Sequence, residues 1–448
     1  MTFDWLSAVL QRSGFDLPDA LSRAALMGRA RRLHAQQLRR PPDWAWFVPG
    51  RIEVFGKHTD YAGGRTMTAA VPRGLAVVAS PRTDGEVRVR DGRSPDHGLL
   101  APLARSRRYV DATVSRLTRN FPEAAFGTDI TFVSDLPRAA GLSSSSALVV
   151  ATATALIRRG GLETRPEWRE AIHSPYDLSD YLGAVENGQS FRSLAGDRGV
   201  GTHGGSEDHT AIVTSRSGLL NVCRFAPLRP IEQVPISRDW RFIVASSGVA
   251  ARKTGDALGL YNRAAATARE LVDLWNGSGH RAYLTLGDLL ESSGDAADEL
   301  RSLVTRLPPA QAGEFERRLA HFQREDGRIP EACAAFLEAD ERALTRLSSE
   351  SQEDADVLLQ NQTEETRTLA ALAPGAGAFA ATGFGAGFGG SVWALARRDE
   401  AGAVGDRWLQ AYRAACPAAG GSASWFEAKA SPGLIEFPLA EDWISIRA

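Results

Sequence analysis

The sequence predicts an α+β protein built in two halves. Its 448 residues are more than one ordinary hydrophobic core accommodates, so two domains are expected. Antiparallel-looking strand segments and helical segments are mixed along the chain, which favours α+β. Between them Pro227 to Pro235, with a third proline at Pro230, reads as a crossover, dividing residues 1–235 from 236–448.

The elements follow in order. Residues from about Asp16 to Arg40 read as one or two helices that stop at Pro41-Pro42. Trp44 to Phe55 alternates as strand, and Gly56 to Gly64 is a polar loop rich in turn residues. Val71 to Ser80, Glu86 to Arg90 and Asp129 to Ser134 are further strand candidates. Ala147 to Ile157 is apolar and long enough for a buried helix, and helical text resumes from Tyr176 to about Ser193. A glycine-rich loop leads to Glu207–Thr214, and Leu219 to Phe225 and Arg241 to Ser246 read as strands. Residues 252–370 are largely helical, with breaks at Asn276-Gly277 and Pro308-Pro309. The end alternates again over Phe379 to Leu395, then forms a helix from about Glu400 to Ala415 and a strand at Ser424 to Ala428.

Composition bounds the function. Hydrophobic residues at 43% and charged residues at 24% describe a soluble globular protein. A net charge of −2 gives no case for a nucleic-acid partner or an acidic membrane surface. Cys223, Cys333 and Cys416 are far apart with no CxxC pair, so neither disulfides nor zinc is expected and a cytoplasmic location fits. The opening MTFDWLSAVLQRSG lacks a signal-peptide pattern, and no apolar run approaches the ~18–20 residues of a membrane span. The histidines show no metal-ligand spacing.

Three motifs carry chemistry. The first is Pro49-Gly50-Arg51-Ile52-Glu53-Val54-Phe55-Gly56-Lys57-His58-Thr59-Asp60-Tyr61-Ala62-Gly63-Gly64, a strand running into a turn. Its carboxylate and imidazole can converge on a polyhydroxylated ligand; the plainer alternative is a solvated loop with an Asx-turn at Asp60. The second, Leu136 to Ala147, places Gly141 and Ser143-Ser144-Ser145-Ser146 at the start of an apolar helix. Backbone N–H groups there suit phosphate oxygens, and serine hydroxyls can reach phosphate or its magnesium ion. Simple N-capping by serine would look similar, although four serines exceed what a cap requires. The third, Gly383 to Ser391, lets backbone approach a ligand or another segment closely, or makes a tight turn between strands.

In this order the motifs resemble the GHMP kinase superfamily, which includes galactokinase, homoserine kinase, mevalonate kinase and phosphomevalonate kinase. The first motif is similar to the galactokinase signature. Ser246 to Arg263, with Lys253-Thr254-Gly255 and Tyr261-Asn262-Arg263, and Asp340 to Thr366 also resemble galactokinase segments, so the likeness spans roughly 45–440 and leaves the chain before Trp44 unmatched. It implies the two-domain GHMP kinase fold, with mixed or antiparallel sheets, packed helices and an active site between the domains. It further implies ATP with Mg2+ as cofactor, and phosphorylation of the anomeric hydroxyl of a hexose such as galactose or a C6-modified relative.

The resemblance also assigns residues. ATP would lie over Gly141, Ser143, Ser144, Ser145 and Ser146, with Ser145 and Glu186 completing the metal site. Asp208 would act as base or orient the attacking hydroxyl, with Glu207 as the alternative one residue away, and Arg51 would face both Asp208 and the transferring phosphoryl group. His58, Asp60 and Tyr261 would hold sugar hydroxyls. Three departures stand out. Ala139 replaces a usual glycine, the Glu186-to-Asp208 gap is roughly ten residues longer, and Lys57 replaces the glutamate that meets the sugar's 6-hydroxyl. Lys57 either turns to solvent or an acidic neighbour, or faces C6 and selects a uronic acid such as galacturonate. An inert sugar sensor is the alternative from another class. A monomer or weak dimer is expected, with sugar and ATP as its partners and neither nucleic acid nor membrane.

Overall fold

Pro41-Pro42 ends the N-terminal helices, as expected, and the chain enters the first of two sheets. The computed structural model describes residues 2–92, 107–137, 140–250 and 256–438. The sequence expectations at Arg138-Ala139 and Lys253-Thr254-Gly255 lie outside the described residues.

The first sheet contains β1 (Trp44–Phe55), β2 (Arg65–Pro81), β3 (Val87–Asp91), β4 (Thr128–Ser134), β5 (Leu219–Arg224), β6 (Arg229–Pro235) and β11 (Ile435–Glu436). Its order is β11-β1-β2-β4-β3, with β5 also pairing β2 and β6 pairing β5; only β3 and β4 run parallel. The second sheet, β10-β7-β9-β8, is antiparallel throughout: β7 (Trp240–Ser246), β8 (Ala380–Gly383), β9 (Ser391–Arg397) and β10 (Ser424–Ala428). This is the expected α+β class with mixed and antiparallel sheets. The proposed boundary at 235/236 lies between β6 and β7, which belong to different sheets, while β11 carries the chain's end back to the first.

Two-residue alternation explains how the first sheet is covered. Trp46, Val48, Leu75, Val77, Ile130 and Phe132 point into the main core, where the helix α4 (Ser144–Gly160) packs. Ala45, Phe47, Ala76, Val78 and Val133 point the other way, onto α1 (Thr2–Arg12) and α2 (Leu17–Leu38). The segment before Trp44 therefore seals the outer face of the sheet. The helix α1 was not foreseen from the sequence. Its apolar residues Leu6, Val9 and Leu10 cover Phe15 and the α2 row Ala20, Ala24 and Met27.

His34 of α2 is wholly buried between Thr131 Oγ1 and Ser80 Oγ, each 2.9 Å from a ring nitrogen. Burial pushes its pKa from 6.5 down to about 4. The unfolded chain thus binds a proton that the folded chain refuses, so stability falls as pH drops from about 6.5 towards 4. The expected loss over that window is ~3 kcal/mol. Urea midpoints measured across it should slope less in His34→Gln than in the wild type; equal slopes would contradict the assignment.

Two segments differ from the sequence reading. Pro227–Pro235 is not a bare crossover, because β6 forms a hairpin with β5; Pro230 sits at a register shift of this edge strand, where its missing N–H is tolerated. The helix expected to reach Ser193 stops at Asn187, where Gly188 takes a left-handed φ of 86°.

The remaining helices are α3 (Arg107–Asn120), α5 (Pro166–Ala171), α6 (Pro175–Asn187), α7 (Glu207–Thr214), α8 (Asp256–Asn276), α9 (Leu286–Leu290), α10 (Ala296–Val304), α11 (Pro309–Leu337), α12 (Glu341–Val357), α13 (Glu364–Ala376), α14 (Ala401–Ala415) and α15 (Pro417–Gly420). Leu271, Trp275, Leu300, Phe315 and Phe322 bind α8, α10 and α11 into one layer that also takes in Ala62 beside the first motif. No helix among the described residues is long and apolar enough to cross a membrane.

Candidate active site

The same alternation that builds β1 points Arg51 and Glu53 to one face, while Ile52 and Val54 enter the core. Both polar residues reach a cavity closed by the loop after β1, the start of α4, the end of α6, the start of α7, α8 and the loop between β8 and β9. The cavity thus draws on chain segments more than 300 positions apart, from Arg51 to Ala386.

Arg51 is the hub. Its Nε and Nη2 lie 2.7 and 2.6 Å from Asp208 Oδ1, and Nη1 donates to Gly141 O at 2.7 Å. Glu207 Oε1 is 3.8 Å away. Burial alone would favour loss of the guanidinium proton, but Asp208, Glu207 and Glu53 outweigh it and hold the charge in place. Glu207 is itself driven well above the usual carboxylate range, by burial first and by Glu53 second, and its Oε1 has no hydrogen-bond partner. Of the two neighbouring acids, Asp208 is therefore the one clamped by the arginine.

Helix phase decides which serine meets the carboxylates. Ser146 Oγ lies 2.9 Å from Glu186 Oε2 and 3.2 Å from Asp208 Oδ2. The partnership expected of Ser145 with Glu186 is thus made by Ser146, one residue and about 100° further round α4. Ser144 and Ser145 are half-buried in the first turn of that helix. Ser143 occupies the N-cap position with φ +56° but makes no capping hydrogen bond, and its buried hydroxyl is unpartnered. Plain serine capping therefore does not account for this run. The oxygen set of Ser146, Glu186 and Asp208 suits a hard cation that takes few protein ligands and completes its shell with phosphate and water, as magnesium does.

The sugar-side residues come together as well. His58 Nε2 donates to Ala386 O at 3.3 Å, which leaves Nδ1 to accept from Tyr61 Oη at 2.9 Å. The Tyr261 ring packs 5.1 Å from that of His58. Asp60 Oδ2 takes the Glu207 N–H at 3.4 Å. Gly204 and Gly205 admit these contacts: a β-carbon on either would come within 2.5 Å of Tyr261 Oη or Asp60 Oδ2. The lengthened segment after Glu186 does not separate that residue from Asp208. It folds back on the end of α6, with Phe191, Leu194 and Val200 in the main core, and is pinned by Val200 N–H on Glu186 O (2.8 Å) and Asn187 Nδ2 on Gly204 O (2.9 Å).

Lys57 is the exception. It is fully buried, does not line the cavity, and donates to the hydroxyls of Ser351 and Thr382 on α12 and β8. Glu325 of α11 accepts from the backbone N–H groups of Gly56 and Lys57 at 3.1 and 3.2 Å and is paired with Arg328 at 2.8 Å. Of the two readings of Lys57, the structure shows the acidic neighbour, Glu325, and not a substrate-binding side chain facing the cavity. Acidic and hydroxyl groups behind the loop draw the ammonium away from the cavity.

The glycine motif has a role that its composition left open. Gly385 lies against Arg51 and Gly141 and gives its N–H to Glu53 Oε2 at 2.6 Å. It closes one wall of the cavity instead of making a simple strand turn. Glu53 and His209 also line this cavity, and sequence reasoning missed both. His209 Nε2 is 3.3 Å from Glu186 Oε2. The i, i+2 spacing of Glu53 from Arg51 was the available signal.

Comparisons with known proteins agree with this geometry. Residues 32–81 match the galactokinase galactose-binding signature, and residues 108–174 match the N-terminal domain of GHMP kinases. A galactokinase of Roseiflexus sp. (strain RS-1) is 29% identical over 400 residues, covering 86% of this chain and 91% of its own. One of Chloroflexus aurantiacus is 28% identical over 370 residues, covering 80% and 85%. The structure of Lactococcus lactis galactokinase, solved with galactose, superposes with a TM-score of 0.73 at 22% identity, over 93% of this chain and 100% of that one. L. major mevalonate kinase superposes at 0.53 and 16% identity, covering 88% and 99%. These matches support a GHMP galactokinase-like sugar kinase, a phosphotransferase with an alcohol as acceptor.

Proposed function

We propose that this kinase transfers the γ-phosphoryl group of ATP to the anomeric hydroxyl of a hexose, galactose or a relative altered at C6, giving the sugar 1-phosphate and ADP. The observation that carries this reading is the Arg51–Asp208 clamp, set between the serine-rich start of α4 and the loop after β1.

Asp208 orients the anomeric hydroxyl and accepts its proton as the oxygen bonds to phosphorus and the bond to ADP breaks. Arg51 holds that carboxylate in place and offsets charge on the transferring group. The N-terminal turn of α4, with Gly141 and the hydroxyls of Ser143 to Ser146, receives the phosphates. Ser146 and Glu186 would hold the magnesium ion, which supplies charge compensation between phosphate oxygens when bound with ATP. Asp60, His58 and Tyr261 position the sugar. Phosphoryl transfer is thereby served by placement and electrostatics, with no covalent intermediate on the protein.

The test is a coupled ADP-release assay of the purified protein against free sugars, including galactose, galacturonate and glucose. Galactose or a C6-altered neutral relative is expected to turn over, with phosphate found on C1 by NMR. Galacturonate as the best substrate would establish the uronate reading in its place, and sugar binding without ADP release would establish the sensor.

A further inference from the structure

We propose that Glu53 is a specificity-determining residue of the acceptor site: its carboxylate receives a hydrogen bond from a substrate hydroxyl and bars substrates that carry a carboxylate there. This deepens the sugar-kinase reading above and rests on it.

Glu53 is buried, yet it lines the cavity. Oε2 accepts the Gly385 N–H at 2.6 Å, which fixes the carboxylate's direction. Neither oxygen is sealed away without a partner, and among the described residues no side chain forms a hydrogen bond or ion pair with either. A carboxylate offers about four acceptor positions, so one N–H leaves most of its capacity turned to the cavity. Burial of a carboxylate is costly without compensating donors, and a substrate hydroxyl would be such a donor. Asp208, by contrast, is already engaged by Arg51 and Ser146.

The charge of the lining points the same way. Among the described residues Arg51 is the only lysine or arginine in it, against Glu53, Asp60, Glu186, Glu207 and Asp208. A uronate would add a further anion to this set, whereas a neutral polyol finds acceptors. Burial has also pushed the Glu53 pKa up to about 7, with Arg51, the Gly385 N–H and Lys57 pulling it down and Glu325 pushing it up. The groups facing it are Arg51 on its own strand, Lys57 on the following loop, Glu207 on α7 and Glu325 on α11. Ionisation turns Glu53 into a pure acceptor, so sugar binding should tighten as pH rises from about 6 to 8.

The experiment measures kcat, the sugar KM and the ATP KM at pH 6 and 8 for the wild type, Glu53→Gln and Glu53→Asp. Substrates are the neutral hexose found above and its hexuronate, and thermal melts check folding. The wild type should prefer the neutral sugar and bind it better at pH 8. Glu53→Gln should raise the sugar KM about tenfold, leave the ATP KM within about twofold and flatten the pH trend. A sugar KM and pH trend unchanged in Glu53→Gln overturn the proposal. So does comparable wild-type turnover of the hexuronate, a result that needs no folded variant. Absence of wild-type turnover with every sugar would instead remove the sugar-kinase reading, and this proposal with it.

Discussion

Asp208→Asn should lower kcat by about a thousandfold while the KM values for sugar and nucleotide change little, since a positioned general base contributes about 10²–10⁴ in rate. The substitution keeps the shape of the side chain but removes its charge and its capacity to take a proton. Arg51, which now spends two nitrogens on Asp208 Oδ1, would be left to Glu207 and Glu53. Arg51→Lys should act on the same step, because one ammonium cannot reproduce the Nε, Nη1 and Nη2 contacts with Asp208 and Gly141. Steady-state kinetics on folded protein check both. A kcat within tenfold of the wild type for Asp208→Asn would move the base to another residue.

Lys57→Met should be among the most destabilising single changes in the loop after β1. The ammonium is wholly buried, and its partners Ser351 and Thr382 would each lose a hydrogen bond. Glu325, which accepts from Ser351 Oγ at 2.9 Å, would lose a nearby positive charge while keeping Arg328. Removing one member of a buried charged network costs ~3–5 kcal/mol, visible as a lower thermal or urea midpoint. Lys57→Glu should be worse, since it sets a second carboxylate beside Glu325. A midpoint equal to that of the wild type in Lys57→Met would show that the cluster contributes nothing.

These two residues mark how far the sequence could be read. The pattern Gly-Arg, then His-Thr-Asp-Tyr, then four serines, then Glu-Asp-His pointed to the chemistry through its resemblance to a kinase family, while periodicity placed these groups at the ends of strands and helices. Arg51, Glu186 and Asp208 are brought together by folding, as the resemblance implied. Ser146 was harder to single out. Four serines in a row are equivalent on paper, and only the rotation of α4 against α6 and α7 chooses which hydroxyl meets Glu186. The covering of the first sheet by α1 and α2 was likewise hidden, because the alternation in β1 shows two apolar faces without saying what packs on the second.

Local rules, then, were enough for the class of fold and most elements, and the order of short motifs carried the resemblance from which the candidate site residues were taken. Those properties depend on spacing along a few neighbouring residues, which the chain carries with it before it folds. The direction of Lys57 and the exposure of Glu53 to the cavity depend on partners such as Glu325, Ser351, Thr382 and Gly385, hundreds of positions away. A long side chain on a loop goes where buried charge and hydrogen-bond donors and acceptors balance. That balance exists only once α11, α12 and the β8–β9 loop have closed over the first motif.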